Sequence, residues 1–302
     1  MIPRLLLLIA LAGSAFGADL QQQLEQLAAA HHGKVALYAK QLKTGATVAI
    51  QADVPVATAS VIKLPILIEA FTQAKAGKLH LDERVPLTKD NQVEGSGVLN
   101  LFKPGLQPTL EDCLALMIAV SDNTAANMMM DAVTIPAVNQ RIAAMGMKNT
   151  YLYRKVFKPA EEPMPADQKQ FGLGKTTARE MGAILESIER CDLGDAALCE
   201  RMLRMLKNNQ NGKMLPRTLQ TTDTSVKPSA IAHKDGSLDR VRNDVGLVYT
   251  SAGPILISVF TWDNQDRSWG SDNQAEILIG RIAKTIVDAW APRASEAAAP
   301  KK

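Results

Sequence analysis

The hydrophobic period of this chain changes twice, and that change limits what it can fold into. Two runs, Val35 to Ala39 and Ala46 to Ile50, are strand-like, with Lys43, Thr44 and Gly45 as the turn between them. From about residue 60 to 206 the apolar residues recur mainly at helical spacing. Strand-like runs return at Ile231 to Ser237, Asp244 to Thr250 and Pro254 to Thr261, with Asn243, Asp244 and then Ala252-Gly253-Pro254 read as turn residues. A helix built on Leu20, Leu24 and Leu27 precedes the first strand, and an amphipathic helix from Gln274 to Trp290 follows the last. Strands at both ends and helices between them predict an α+β fold. Its parts are one antiparallel five-stranded sheet flanked by helices and an inserted all-helical lobe. Residues 19–58 and 207–291 then make the sheet-containing lobe and residues 59–206 the helical lobe. The cleft between them is the expected place for a site.

Inside the helical part, Thr109-Leu110-Glu111-Asp112 resembles a capping box that opens a helix through Val120. Further helices are expected over Asn123 to Ala132, Ile135 to Met145 and Cys199 to Leu206, and Thr176-Thr177-Ala178-Arg179-Glu180 caps another that runs through about Ile188. Residues 153–175 hold Pro159, Pro163 and Pro165 and little periodicity, and so long an irregular stretch in a compact domain is usually functional or mobile.

The segment 1–18 reads as a signal peptide: Arg4, the apolar run Leu5 to Leu11, and Ala15-Phe16-Gly17 as a cleavage site. The expectation is a periplasmic or secreted protein without a stable membrane span. Residues 292–302 have the low complexity of a disordered tail. Net charge is +3 and no basic stretch carries interleaved aromatics, which argues against nucleic acid as a partner. An oxidising compartment would allow Cys191 and Cys199, which flank a short loop with Gly194, to pair, while Cys113 reads as a buried free thiol. Neither the cysteines nor the four histidines have metal-ligand spacing, so no metal and no other cofactor is expected. The protein is expected to act as a monomer.

Three short motifs carry the chemistry. Ser60 opens an apolar helix and Lys63 follows on the same face. A serine hydroxyl needs a base to take its proton, and a lysine in a dry, cationic pocket can serve. The pair alone also describes a capped helix with a solvated lysine. Ser121-Asp122-Asn123 precedes the next helix, and His233-Lys234-Asp235-Gly236-Ser237 ends a strand run whose glycine lets a substrate backbone approach.

In this order, and with the separations from Ser60 to Ser121 and from Ser121 to Lys234 both near the family's usual intervals, the set resembles the class A β-lactamases and their penicillin-binding relatives. Arg242 to Tyr249 followed by Pro254 to Thr261 is similar to the family's last strand pair. The resemblance implies that Ser60 attacks the lactam carbonyl, Lys63 accepts or relays its proton, and Ser121 passes a proton to the leaving nitrogen. It implies that Asn123 binds the substrate's side-chain amide and Lys234 its carboxylate. Gly236 lets the substrate approach, and the backbone N–H groups of Ser60 and Ser237 form the oxyanion hole. The family's deacylating carboxylate is matched by Glu162-Pro163, at the family's usual interval before Thr176-Thr177, with Glu161 as a rival. The substrate expected is a β-lactam or a cell-wall peptide-like amide. A DD-peptidase-like enzyme with slow deacylation and a non-catalytic cell-wall peptide binder are the alternatives.

The chain also departs from the family. Counted from Arg154, the position of the carboxylate falls on Val156, which cannot act as a base. Ala166 stands where an Asn is usual, and Lys175 where the usual Arg–Asp clamp has its Asp. Asp235 replaces a hydroxyl residue and would repel a substrate carboxylate about 4 Å away by about 1–4 kcal/mol, depending on screening. Alternatively it turns away to pair with Arg217, Arg240 or Arg242.

Overall fold

The computed structural model describes residues 19–160, 163–219 and 230–291. The expected signal peptide and tail, and Glu161 and Glu162, lie outside the described residues. A first helix, α1, covers residues 19–29. The hairpin β1 (Lys34–Gln41) and β2 (Thr47–Ile50) follows, then the short β3 (Val56–Ala57) and a 3₁₀ turn over Ala59–Ile62. The middle of the chain holds α2 (Lys63–Lys75), α3 (Leu110–Ala119), α4 (Asn123–Val133), α5 (Ile135–Ala144), β4 (Tyr151–Leu152), α6 (Gln168–Phe171) and β5 (Gly174–Thr176). Next come α7 (Ala178–Glu189), α8 (Ala196–Lys207), β6 (Ile231–Leu238), β7 (Val241–Thr250), β8 (Gly253–Trp262) and α9 (Gln274–Trp290).

The five long strands form one antiparallel sheet in the order β2-β1-β8-β7-β6, so the two ends of the chain meet at the β1–β8 pair. Both faces are covered, and alternation along each strand sorts the side chains between two cores. Ala36, Tyr38, Val245, Leu247, Leu256 and Phe260 join the core shared with the helical lobe, among them Leu64, Leu67 and Phe71 of α2. Val35, Leu37, Ala39, Ile255, Ile257 and Val259 face the opposite core, with Leu24 of α1 and Ile279 and Ile282 of α9. Fully burying each such side chain contributes about 1.5–3 kcal/mol. Helix α7 lies close against the sheet because Gly182 has no side chain. A Cβ there would stand 3.1 Å from the Tyr38 ring and 3.2 Å from Leu256.

Several boundaries differ from the sequence reading for identifiable reasons. Asn243 and Asp244 are not turn residues. They lie buried inside β7, which starts at Val241 after a two-residue connection from β6. Their polar atoms are satisfied there: Asn243 Nδ2 donates to the Ala57 and Thr58 carbonyls, and Asp244 accepts from Leu215 N and faces His233 Nδ1 at 2.9 Å. Helix α8 begins at Ala196 rather than Cys199 because the Asp195 side chain caps it at Leu198 N. The Thr109–Asp112 capping box is present. A second small sheet, β3-β5-β4, was not foreseen. Cys191 and Cys199 form a disulfide, and Cys113 is free and buried, its thiol pushed up to about 12 mainly by burial.

Candidate active site

Ser60 does not cap a helix. It sits within the 3₁₀ turn that leads into α2, and neither this turn nor α2 has a side-chain cap. The turn is braced from both sides. Gly174 O on β5 accepts from Thr58 N at 2.9 Å and Thr58 Oγ1 at 3.0 Å, while Asn243 holds the carbonyls of residues 57 and 58 from β7. Ala59 is held at φ 46°, a left-handed conformation that costs a non-glycine residue on the order of 1–3 kcal/mol and survives only in a rigid setting. The free edge of the sheet, β6, passes directly beside this turn. A Cβ on Gly236 would stand 2.7 Å from Ser60 N and 2.9 Å from Val61 N, so only glycine permits the approach. The half-buried Ser60 hydroxyl makes no hydrogen bond among the described residues.

Lys63 is fully buried. Its ammonium group donates to Ser121 O at 2.7 Å, Asn123 Oδ1 at 3.0 Å and Ser121 Oγ at 3.2 Å. Burial, and secondarily the Lys234 charge, hold its pKa well below the usual lysine range, against the opposing pull of Asp235 and Asp122. The turn that presents Ser121 is itself constrained, with Ser121 at φ 54°. Asp122 caps α4 through Ala125 N, and its other oxygen accepts from Val98 N and Leu99 N, which ties the 95–99 loop to the site. Gly97 makes this possible: its φ is 106°, and a Cβ would stand 2.3 Å from the Asp122 carboxylate. Asn123 is occupied at both ends, since Nδ2 also donates to Glu94 O at 3.2 Å.

Lys234, also fully buried, donates to Asp235 O at 2.7 Å and to Asp235 Oδ1 at 3.0 Å. Asn209 donates to the same oxygen at 3.0 Å and Asn211 to Oδ2 at 2.8 Å. Burial alone would raise the Asp235 pKa; the Lys234 charge and the two amide donors overcome it and hold the carboxyl well below the usual range. None of the three arginines is its partner. Arg217 donates to Ser271 O, and Arg240 to Asn264 O. Arg242, opposite Ser237 in the strand register, is fully buried. It reaches Glu276 and the carbonyls of Leu238, Val241 and Ser268 and stacks on Trp269.

The irregular segment after β4 closes on itself. Asp167 accepts from Tyr153 Oη at 2.7 Å and pairs with Lys175 at 2.5 Å. Deeper in, Asn127 of α4 clasps the backbone of Val156 from both sides, accepting from its N–H at 2.8 Å and donating to its carbonyl at 3.1 Å. The next residue, Phe157, reaches within 3.2 Å of where a Cβ on Gly95 would sit, beside Asn123. Ala160 and Pro163 instead line a cavity of about 1080 Å³ that includes Asn139 and Tyr151 but none of Ser60, Lys63, Ser121, Asn123 or Lys234. Among the described residues, no group of three or more His, Cys, Asp and Glu side chains is arranged to hold a metal ion.

The family model of the beta-lactamase enzyme family matches residues 19–290. This chain belongs to that family. The β-lactamase of Sphaerobacter thermophilus is 30% identical over 91% of this chain and 97% of its own, with a TM-score of 0.76. PBP-A is 26% identical over 90% of this chain and 95% of its own, also at 0.76. A PBP-A variant seen as an acyl-enzyme complex with penicillin G is 25% identical, over 90% and 96%, at 0.77. An ancestral class A β-lactamase, 22% identical over 89% and 99%, shares the fold at a TM-score of 0.76. The chain is a serine β-lactamase-like hydrolase.

Within this family chain, the fold brings Ser60, Lys63, Ser121, Asn123, Lys234 and Gly236 together, with half-buried Ser237 next along the same edge. Asn123 lies beside Lys63, accepting from its amine and donating to Glu94 O. One expectation needs correction, the arginine partner of Asp235. Asp235 turns to Lys234 and two asparagines rather than to an arginine. The lost Arg–Asp clamp is replaced by a Tyr153–Asp167–Lys175 cluster, which Lys175 completes with reversed charge. Ala166, counted from Glu162, is exposed. Residues that sequence reasoning missed are Asn127, Asn209, Asn211 and Asn243. Of these, Asn127 left a trace, being a polar residue one turn after Asn123 in a helix otherwise rich in methionine.

Proposed function

We propose that this protein opens a β-lactam amide by acylating Ser60. Ser60 Oγ bonds to the carbonyl carbon as the ring C–N bond breaks. The Ser60 proton passes through Lys63 and Ser121 to the leaving nitrogen. The observation that carries this reading is the buried, pKa-depressed Lys63 amine, held by Ser121 and Asn123 one turn after a hydroxyl with no hydrogen bond among the described residues. A protein that only bound cell-wall peptides would have no use for such a costly buried cation. Ser60 N beside Gly236 supplies one side of the oxyanion hole, with Ser237 N as the proposed second donor. Export to the periplasm or beyond, following removal of residues 1–18, is part of the proposal, and the Cys191–Cys199 disulfide supports an oxidising compartment. The enzyme is proposed to act as a monomer.

A second reading has its own support. Val156, clasped by Asn127, puts an apolar side chain where the count from Arg154 expects the deacylating carboxylate. On this reading the enzyme is penicillin-binding or DD-peptidase-like, acylating readily and releasing slowly. Incubation of the mature protein, Ser60→Ala and Glu162→Ala with a chromogenic cephalosporin and a fluorescent penicillin separates the two. Turnover lost in both variants supports the lactamase with Glu162 as its base. Stable labelling at Ser60 without turnover supports the slow-releasing enzyme. No reaction of any kind overturns both.

A further inference from the structure

The charge that a substrate meets beside Ser60 is set by which of two neighbours is accessible. Lys234 has no exposed surface, while the Asp235 side chain keeps 14% of its own. The ammonium group already contacts two Asp235 oxygens, one from the backbone and one from the carboxylate. Both carboxylate oxygens are held by further donors, Asn209 and Asn211, so the pair is fixed rather than fluctuating. The second cation on this strand pair, Arg242, is buried and committed to Glu276 and three carbonyls. An anionic group brought to this edge would therefore have to displace Asp235 from Lys234 or sit beside its negative charge.

We propose that Asp235 is a built-in counter-ion that fills the position of a substrate carboxylate at Lys234. The cleft then selects lactams and amides whose carboxyl on the leaving-nitrogen side is esterified or absent over those in which it is a free acid. The inference rests on Ser60 being the acylated residue. The acyl transfer is the same for both substrate types. One Oγ–C bond forms, one C–N bond breaks, and the proton ends on the nitrogen, so discrimination comes from the approach alone.

The test compares penicillin G with its methyl ester, which differ only in that charge. Second-order rates of Ser60 labelling are read by intact-protein mass spectrometry for the native protein, Asp235→Thr and Asp235→Asn. The native protein should label faster with the ester. The acid-to-ester ratio should rise at least about tenfold in Asp235→Thr, the effect of one relieved charge contact. Comparing ratios cancels the intrinsic reactivities of the two compounds and any general loss of activity. A further measurement needs no variant: the ratio in the native protein should rise with salt as the repulsion is screened. A ratio that favours the acid and responds to neither substitution nor salt overturns the inference and leaves the Ser60 reading standing. Labelling of Ser60 by neither compound overturns the Ser60 reading and this inference with it.

Discussion

Lys63 and Val156 are both held by residues of α4, one helical turn apart, and the helix treats them in opposite ways. Asn123 offers its side-chain oxygen to the Lys63 amine, while burial and the Lys234 charge hold that amine's pKa well below the usual lysine range. Asn127, one turn further on, spends both ends of its amide on the Val156 backbone and leaves an apolar side chain pointing into the core. The same device, a buried asparagine on one helix face, meets a lysine amine at one position and a backbone carrying an apolar side chain at the other. On the proposed reading, acylation and release are separable, one resting on side-chain chemistry and the other on what the loop presents.

The strongest way to break the comparison is Lys63→Met. Removing a positioned base should slow acylation by about 10²–10⁴-fold, measured as the rate of Ser60 labelling. Because the amine's pKa is depressed, the neutral, proton-accepting form is populated well below the ordinary lysine range. The acid limb of the native rate profile should fall correspondingly below pH 10.5. Labelling of Lys63→Met at the native rate would show that another group takes the proton.

Val156→Glu acts on the other side and should leave the labelling rate nearly unchanged while speeding release. A carboxylate held by the Asn127 clasp can activate water, and an unrefined placement should give about 10²-fold, the low end for general bases. The same change buries an ionisable group where an apolar one packed and should cost about 1–3 kcal/mol in stability. Release unaltered in a folded Val156→Glu protein would mean that the clasped position does not face the acyl group.

How far the sequence could be read follows the same division. Ser60, Lys63, Ser121 and Lys234 could be singled out because their motifs and separations resemble those of the family, and the alternating strands at both ends announced the sheet. Asp235 was legible as an oddity but not in its pairing, because Asn209 and Asn211 come from a distant loop that carries no periodic signal. Asn243 and Asp244 misled, since polar residues in a turn-like pair gave no sign that buried partners awaited them in β7. The loop of residues 153–175 gave two conflicting counts, from Arg154 and from Thr176. An irregular segment has no period that could decide between them.

The smallest effect is expected where the loop ties itself shut. Asp167→Asn removes the charge that meets Lys175 and weakens the bond from Tyr153, but the two charged side chains are partly exposed and the pair is screened. The loss should be at most about 1 kcal/mol, read as a modest fall in Tm at pH 7. Its pH dependence identifies the cause. The hydrogen bond from Lys175, then that from Tyr153, holds the Asp167 pKa below the ordinary value of 3.8. The pair's contribution is therefore complete above about pH 4 and fades as pH falls through the lowered pKa of the folded state. The difference in Tm between native and variant protein should shrink over that acid range, while Ser60 labelling at neutral pH stays the same in both. A fall in labelling as large as that of Lys63→Met would show that the loop also braces the acylation centre, and the separation between the two sides would fail.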